Sequence, residues 1–180
     1  ADGKGTGVTL LIKKQSPIQL KGVFTPSCSN PGKGRKIYAT LSIEELDLCL
    51  AGIYVPSPRK ERAEWVTKCM SVKQISEETI RTQERLHISE PTLDIMCGDF
   101  NIDPNRDTQL LSNIETLALA LGLTRIEPIN AGPTFTSSTA ASTIDHVWVN
   151  ERIANRITDL RRYPNVISDH HYLEMRLLVA

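Results

Sequence analysis

The chain has 180 residues, 40 % hydrophobic and 23 % charged, the balance of a single globular domain with a real core. Lys plus Arg and Asp plus Glu both number 21, a formal net charge of +0, so any attraction to nucleic acid must come from local basic patches. Apolar stretches fall far short of the ~18 residues that span a bilayer, and no signal-peptide pattern opens the chain.

Gly7-Val8-Thr9-Leu10-Leu11-Ile12 reads as a buried strand, and residues 18–24 as a second. Residues 26–34 (PSCSNPGKG) are a loop on composition. Residues 36–43 alternate as a strand, and 46–55 (LDLCLAGIYV) read as a buried partner strand, with Glu44-Glu45 near the turn. Pro56-Ser57-Pro58 stops that strand. Residues 59–87 are amphipathic and fit two helices or one broken helix, with Trp65, Val66, Cys69, Met70, Val72, Ile75, Ile80 and Leu86 facing inward. Residues 92–97 form a central strand, and 107–121 a helix with Asp107 as N-cap and Gly122 as its stop. Residues 142–149, 157–162 and 172–179 complete the strands. The pattern is a strand-rich α/β chain whose strands can make two packed sheets with helices outside.

Cys28, Cys49, Cys69 and Cys97 are widely spaced with no Cys-x-x-Cys pair, which argues against a zinc knuckle. Cys49 and Cys97 fall in apolar strands, where a thiol packs as a small hydrophobe. A reducing compartment, nuclear or cytoplasmic, is expected.

Polar groups punctuate these strands. Gly98-Asp99-Phe100-Asn101 ends one abruptly, Thr143-Ile144-Asp145-His146 opens another, and Ser168-Asp169-His170-His171 precedes the last. Tyr54 closes Gly52-Ile53-Tyr54-Val55-Pro56. Each has an ordinary reading: Asp and Asn close turns on their own backbone, a histidine pair is solvated, a tyrosine is half-buried. Each also suits a site, because loops at strand ends carry chemistry.

Taken in order, these motifs resemble the endonuclease/exonuclease/phosphatase superfamily, which includes DNase I, exonuclease III and the apurinic/apyrimidinic endonucleases. LINE-type retrotransposon endonuclease domains are the nearest in look. The matching segments also include residues 7–12 and 34–41, so the resemblance spans nearly the whole chain. It implies a four-layer α/β sandwich, two facing and mostly antiparallel sheets flanked by helices, in one domain over residues 1–180. It also implies Mg²⁺-dependent phosphodiester hydrolysis (Mn²⁺ serving in its place), with double-stranded DNA nicked by a retroelement endonuclease.

By that resemblance Asp99 aligns or deprotonates the attacking water, and Asn101 contacts the phosphate or the metal. Asp169 is a metal ligand alongside Asp99 and Asn101. His170 donates to the developing charge, Asp145 holds His170 and raises its pKa, and Tyr54 donates its hydroxyl to the phosphate. His146 and His171 match no functional position. Arg59, Lys60, Arg106, Arg161 and Arg162 can meet phosphates or simply be solvated.

The resemblance also implies a strand ending in Asn, a helix, and a second strand ending in a metal-binding Glu ahead of residue 7. Only Asp2 is acidic there. The expectation is an N-terminally truncated domain lacking the first strand–helix–strand, its central strands supplied by an upstream segment or a partner chain. Two other functions fit the same scaffold: an inactive binding or structural module, and a phosphatase on a small phosphorylated substrate.

Overall fold

The computed structural model describes residues 8–26 and 35–179. Strands Ile18–Phe24 (β1), Arg35–Ile43 (β2) and Leu46–Tyr54 (β3) run as an antiparallel meander. The register between β1 and β2 shifts between Leu20 and Gly22, so Lys21 bulges out. Helices Arg59–Cys69 (α1) and Val72–Gln83 (α2) follow, with a 3-10 turn at Glu84–Leu86. They carry the chain over to Ile95–Asp99 (β4), which pairs parallel with β3. Ser71 caps α2 in a reciprocal box with Gln74, which is why residues 59–83 break into two helices there.

Helix Thr108–Ala120 (α3) ends at Gly122, whose φ of 75° no β-branched residue would tolerate. Then come Leu123–Ile126 (β5), the two-residue strands Phe135–Thr136 (β6) and Ala141–Ser142 (β7), and Asp145–Asn150 (β8). The short helix Glu151–Ala154 (α4) leads to Ile157–Tyr163 (β9) and Tyr172–Leu177 (β10). A six-stranded mixed sheet has the order β1-β2-β3-β4-β8-β5, β9 and β10 form a separate antiparallel pair, and so do β6 and β7.

Alternation splits the sheet's residues between two cores. On one face Tyr38, Ala51, Ile53, Met96 and Trp148 pack with Trp65, Val66 and Ile75 of α1 and α2 and with Ile114 of α3. On the other, Leu41, Leu48, Ile95, Val147 and Val149 pack under Leu173, Met175 and Leu177 of β10. Lys36 crosses to the helix face and is buried, held by the Cys69 carbonyl (2.6 Å) and by Glu78 (2.8 Å). At Gly22 the backbone of α2 comes so close that a Cβ would lie 2.7 Å from the Thr82 carbonyl oxygen.

The long helices thus lie on one face of the six-stranded sheet, and the other face carries the β9–β10 pair, α4 and residues 8–12. This is an α/β fold with a mixed sheet; helices flanking both outsides are not found among the described residues. Residues 8–12, with Val8, Leu10 and Ile12 half-buried, form no strand and pair with no other strand among the described residues. Gly7, Cys28 and residues 27–34 of the expected loop lie outside the described residues. Val72 and Ile80, expected inward, are exposed; α2 buries Thr79, Thr82 and Gln83 instead. Cys49 and Cys97 are unbridged thiols, each pushed up to about 11 by burial. Among the described residues, no helix is long and apolar enough to cross a membrane.

Candidate active site

Three of the expected residues stand in one row. Tyr54 of β3 pairs in register with Asp99 of β4, and Asp99 pairs with Asp145 of β8. Tyr54 and Asp99 close the two parallel strands at their carboxyl ends, the rim where ligands of open α/β sheets bind. Alternation turns all three toward the β9–β10 side of the sheet, and it turns His146 the other way, into the helix-side core. Arg35 of β2 pairs with Tyr54 and extends the row by one strand.

The turn after Asp99 is built by its neighbours. Phe100 is fully buried against Trp148, and its N–H donates to the Ile144 carbonyl (2.9 Å). Asn101 takes a left-handed φ of 51°, and its N–H donates to Asp99 Oδ1 (2.9 Å). Its side-chain amide donates to the Val55 carbonyl (2.7 Å), tying the ends of β3 and β4 together. One oxygen of Asp99 therefore closes a turn, and the other, Oδ2, lies 3.8 Å from His170 Nε2. Gly98 adopts φ 143°, and a Cβ there would strike the Ile53 carbonyl of the neighbouring strand.

His170 reaches the row from the loop before β10. Its backbone bridges to Phe135, and the N–H of Thr136 donates to the Asp169 carbonyl (2.8 Å). The rings of Phe135 and His170 meet edge to face at 5.2 Å. Nδ1 of His170 lies 3.0 Å from Asp145 Oδ2. Asp99, Asp145 and His170 bring their ligand atoms within 4.8 Å of one another, all three half-buried.

Asp99 is pushed up to about 6, first by burial and then by the charge of Asp145, against the Asn101 N–H, His170 and Arg62. For His170, burial opposes the imidazolium, but the charge and hydrogen bond of Asp145, with Asp99 and Asp169, outweigh it and raise its pKa. When doubly protonated, the ring donates Nδ1–H to Asp145 and presents Nε2–H toward Asp99. Burial, with the Asp99 charge, raises the Tyr54 phenol, so it remains a donor.

Asp169 is exposed and stands outside the cluster, adding its charge to His170 from the neighbouring position. His171 faces away, with Nδ1 2.6 Å from Arg162 Nη1. Asp107 marks the start of α3, but its carboxylate takes the Asp103 N–H and Arg62 rather than capping the helix. Arg35 lies in the matching segment 34–41, where the resemblance gives it no role, and joins the row through strand pairing. One residue escaped the sequence reading. Thr134 is buried in the loop before β6, where its Oγ1 accepts the N–H groups of both Ile144 and Asp145 (3.0 Å each) and its carbonyl accepts the His171 N–H (2.7 Å). It therefore fastens Asp145 and the His170 segment to one another.

A family model described as endonuclease-reverse transcriptase matches residues 48–174, well over half of the chain. The chain belongs to that family. It is thereby a member of the endonuclease/exonuclease/phosphatase superfamily, one of metal-dependent nucleases and phosphatases. The endonuclease domain of TRAS1, a telomere-specific non-LTR retrotransposon, is similar in fold: TM-score 0.56 at 19% identity, over 88% of this chain and 67% of that one. A 3'-5' exonuclease from Neisseria meningitidis gives 0.57 at 17%, over 90% and 71%. An endonuclease/exonuclease/phosphatase family protein from Leptotrichia buccalis gives 0.54 at 17%, over 89% and 62%. This chain thus spans roughly two thirds of the length of these three solved structures. A comparison with curated proteins gave no match.

Proposed function

We propose that the protein is a divalent-cation-dependent phosphodiesterase that nicks double-stranded DNA as a retroelement endonuclease. The observation that carries this reading is the convergence of Asp99, Asp145 and His170 within 4.8 Å, beside Tyr54 in the same row. Phosphodiester hydrolysis needs an activated water and donors aimed at the phosphate oxygens, and this row holds both kinds of group.

The donor set fits Mg²⁺, with Mn²⁺ as a substitute: two carboxylates on adjacent strands are hard oxygen ligands. Asp99, with Asp145 beside it, would hold the ion, the Asn101 side-chain oxygen would join them, and Asp169, exposed outside the cluster, would add an oxygen from the neighbouring loop. Bound there, the cation neutralises phosphate charge and polarises the P–O bond.

The chain's own groups supply the rest. Asp99, ionised above about 6, takes the proton of the attacking water. The P–O3′ bond breaks and leaves a 5′ phosphate and a 3′ hydroxyl, the end from which a reverse transcriptase extends. His170 donates Nε2–H to the charge that develops, while Asp145 holds its ring through Nδ1. Tyr54, kept protonated, donates to a non-bridging oxygen. A further strand and carboxylate, from another segment or a partner chain, would complete the second sheet.

Supercoiled plasmid with Mg²⁺ tests the reading. Relaxed circles are expected from the parent, with chelation abolishing them and Asp99→Ala and His170→Ala lowering the rate by about a hundredfold or more. DNA binding without relaxation would mark an inactive module. Turnover of p-nitrophenyl phosphate in place of nicking would mark a phosphatase.

A further inference from the structure

A continuous run of hydrogen bonds crosses the ends of all three strands that carry the row. It starts just beyond Tyr54, where the Ser57 carbonyl accepts Arg62 Nη2 (2.7 Å). The other arm of the same guanidinium, Nη1, lies 3.0 Å from Asp107 Oδ2. That oxygen also accepts the Asp103 N–H (3.0 Å). Asp103 in turn accepts the Thr143 N–H on Oδ2 (2.8 Å), close before Asp145, and the Asn105 N–H on Oδ1 (2.9 Å). The run therefore joins the end of β3, the loop after β4 and the segment entering β8. Tyr54 and Asp99 are the last residues of their strands and Asp145 the first of its own, so the ladder holds each from one side only. Such ends open more easily than strand centres.

We propose that Arg62, Asp107 and Asp103 form a clamp that positions Tyr54, Asp99 and Asp145 relative to one another. The proposal rests on the phosphodiesterase reading above. The three are positioning residues: they act through the segments that bear the site. Their arrangement runs against local stability. Asp107 stands at the N-cap of α3 yet leaves the helix amides uncapped, because its carboxylate is turned to Arg62 and Asp103. Arg62 Nε is buried with no partner. Asp103 is only 5% exposed, so two carboxylates share one guanidinium away from water. Apolar side chains in place of such a buried ion group often stabilise a fold as well or better. What the charged run supplies, and apolar packing does not, is one fixed set of distances between three strand ends.

The test compares the full chain with Arg62→Met, Arg62→Lys, Asp107→Asn, Asp103→Asn and the double change Arg62→Met/Asp107→Asn. The probes are a 30-base-pair duplex and Mn²⁺, at a temperature where denaturation curves show each variant folded. A shift of about 1 Å at reacting groups costs up to about a hundredfold, so each single change is expected to lower kcat at least about tenfold, with KM for the duplex within about twofold. The double change is expected to be no slower than the slower single, because both break one run. Calorimetry with Mn²⁺ alone is expected to show binding weakened by about tenfold, since Asp99 and Asp145 are no longer held together. Arg62→Lys is expected to behave as Arg62→Met, because one ammonium does not replace a two-armed fork. Should Arg62→Met not fold, Asp107→Asn decides in its place. Parent-like kcat and Mn²⁺ binding in the single variants overturn the clamp and leave the phosphodiesterase reading standing. So does full activity in Arg62→Lys, which would show that charge alone suffices, and so does a kcat that falls only in step with the folded fraction. A parent that cuts no phosphodiester with Mn²⁺ overturns that reading and the clamp with it.

Discussion

Asp99 and Asp145 are direct register partners on antiparallel strands, and one histidine, His170, lies within 3.8 Å of the first and 3.0 Å of the second. Two carboxylates at adjacent strand positions repel, and the imidazolium is what offsets them. Replacing Asp145 by Asn removes both the repulsion on Asp99 and the hydrogen-bonded charge on Nδ1. The His170 pKa should therefore fall, and that of Asp99 should fall with it, as followed by NMR titration of the imidazole and carboxyl carbons. Nicking should drop by about a hundredfold or more, because the ring loses its orientation and its proton. An unmoved His170 titration in Asp145→Asn would refute the coupling.

The raised Asp99 sets a pH dependence for cation binding. A ligand carboxyl must lose its proton before it coordinates, so protons and Mn²⁺ compete for it. Affinity measured by calorimetry should be steady well above pH about 6 and weaken as the pH falls through that value. Asp99→Asn should bind weakly with a flat profile. A parent profile equally flat between pH 5 and 7.5 would show that Asp99 does not hold the ion.

Thr134 should act as a positioning residue. Its hydroxyl oxygen accepts two backbone N–H groups, one of them that of Asp145. Thr134→Val keeps the shape but strands both donors in a buried place, at about 1–3 kcal/mol each. Chemical denaturation should show that loss, and nicking should fall while duplex binding holds. Thr134→Ser keeps the oxygen and should restore both; failure of the serine variant to do so would point to methyl packing instead.

Gly98 allows β3 and β4 to close side by side just where Tyr54 and Asp99 meet. Gly98→Ala sets a Cβ against the Ile53 carbonyl at a φ of 143° that side chains rarely adopt. The two penalties together should cost more than about 3 kcal/mol and lower the melting temperature well beyond the effect of a surface Gly→Ala change. A variant as stable as the parent would mean that the strands can separate there at little cost.

These sites show what a sequence can and cannot carry. β1 was legible to the residue because its apolar residues are bounded by Pro17 and the loop after Phe24, although its alternation breaks at the bulge. Asp99, Asp145 and His170 were legible because each sits where an apolar strand meets a loop. β5 was not, since Leu123 and Ile126 flank two polar residues and leave no period to read. Residues 142–149 read as one strand, but the N–H groups of Ile144 and Asp145 turn to Thr134 and split it into β7 and β8. Thr134 itself could not be found, because a threonine in a Gly-Pro loop is ordinarily exposed and only tertiary closure buries it. Arg35 entered the row through pairing with Tyr54, a relation no local pattern encodes.

His146 gives the last prediction, and it concerns stability. It is buried on the helix side, its Nε2 2.7 Å from the Ile102 carbonyl, and burial lowers its pKa. The folded state therefore keeps it neutral while the unfolded chain protonates it near 6.5. Its contribution is present above that value and is lost as pH falls. Asp99 and His170, both raised, work the opposite way: the folded state binds their protons more tightly, so each favours folding on acidification. Across pH 7.5 to 5 these two groups therefore oppose His146. His146→Gln keeps an amide N–H for Ile102 and removes the titration, so this variant should gain stability relative to the parent as pH is lowered. Denaturant midpoints at pH 7.5, 6.5 and 5.5 measure it. A difference between the two proteins that stays constant across that range would show that His146 is protonated in the fold as readily as outside it.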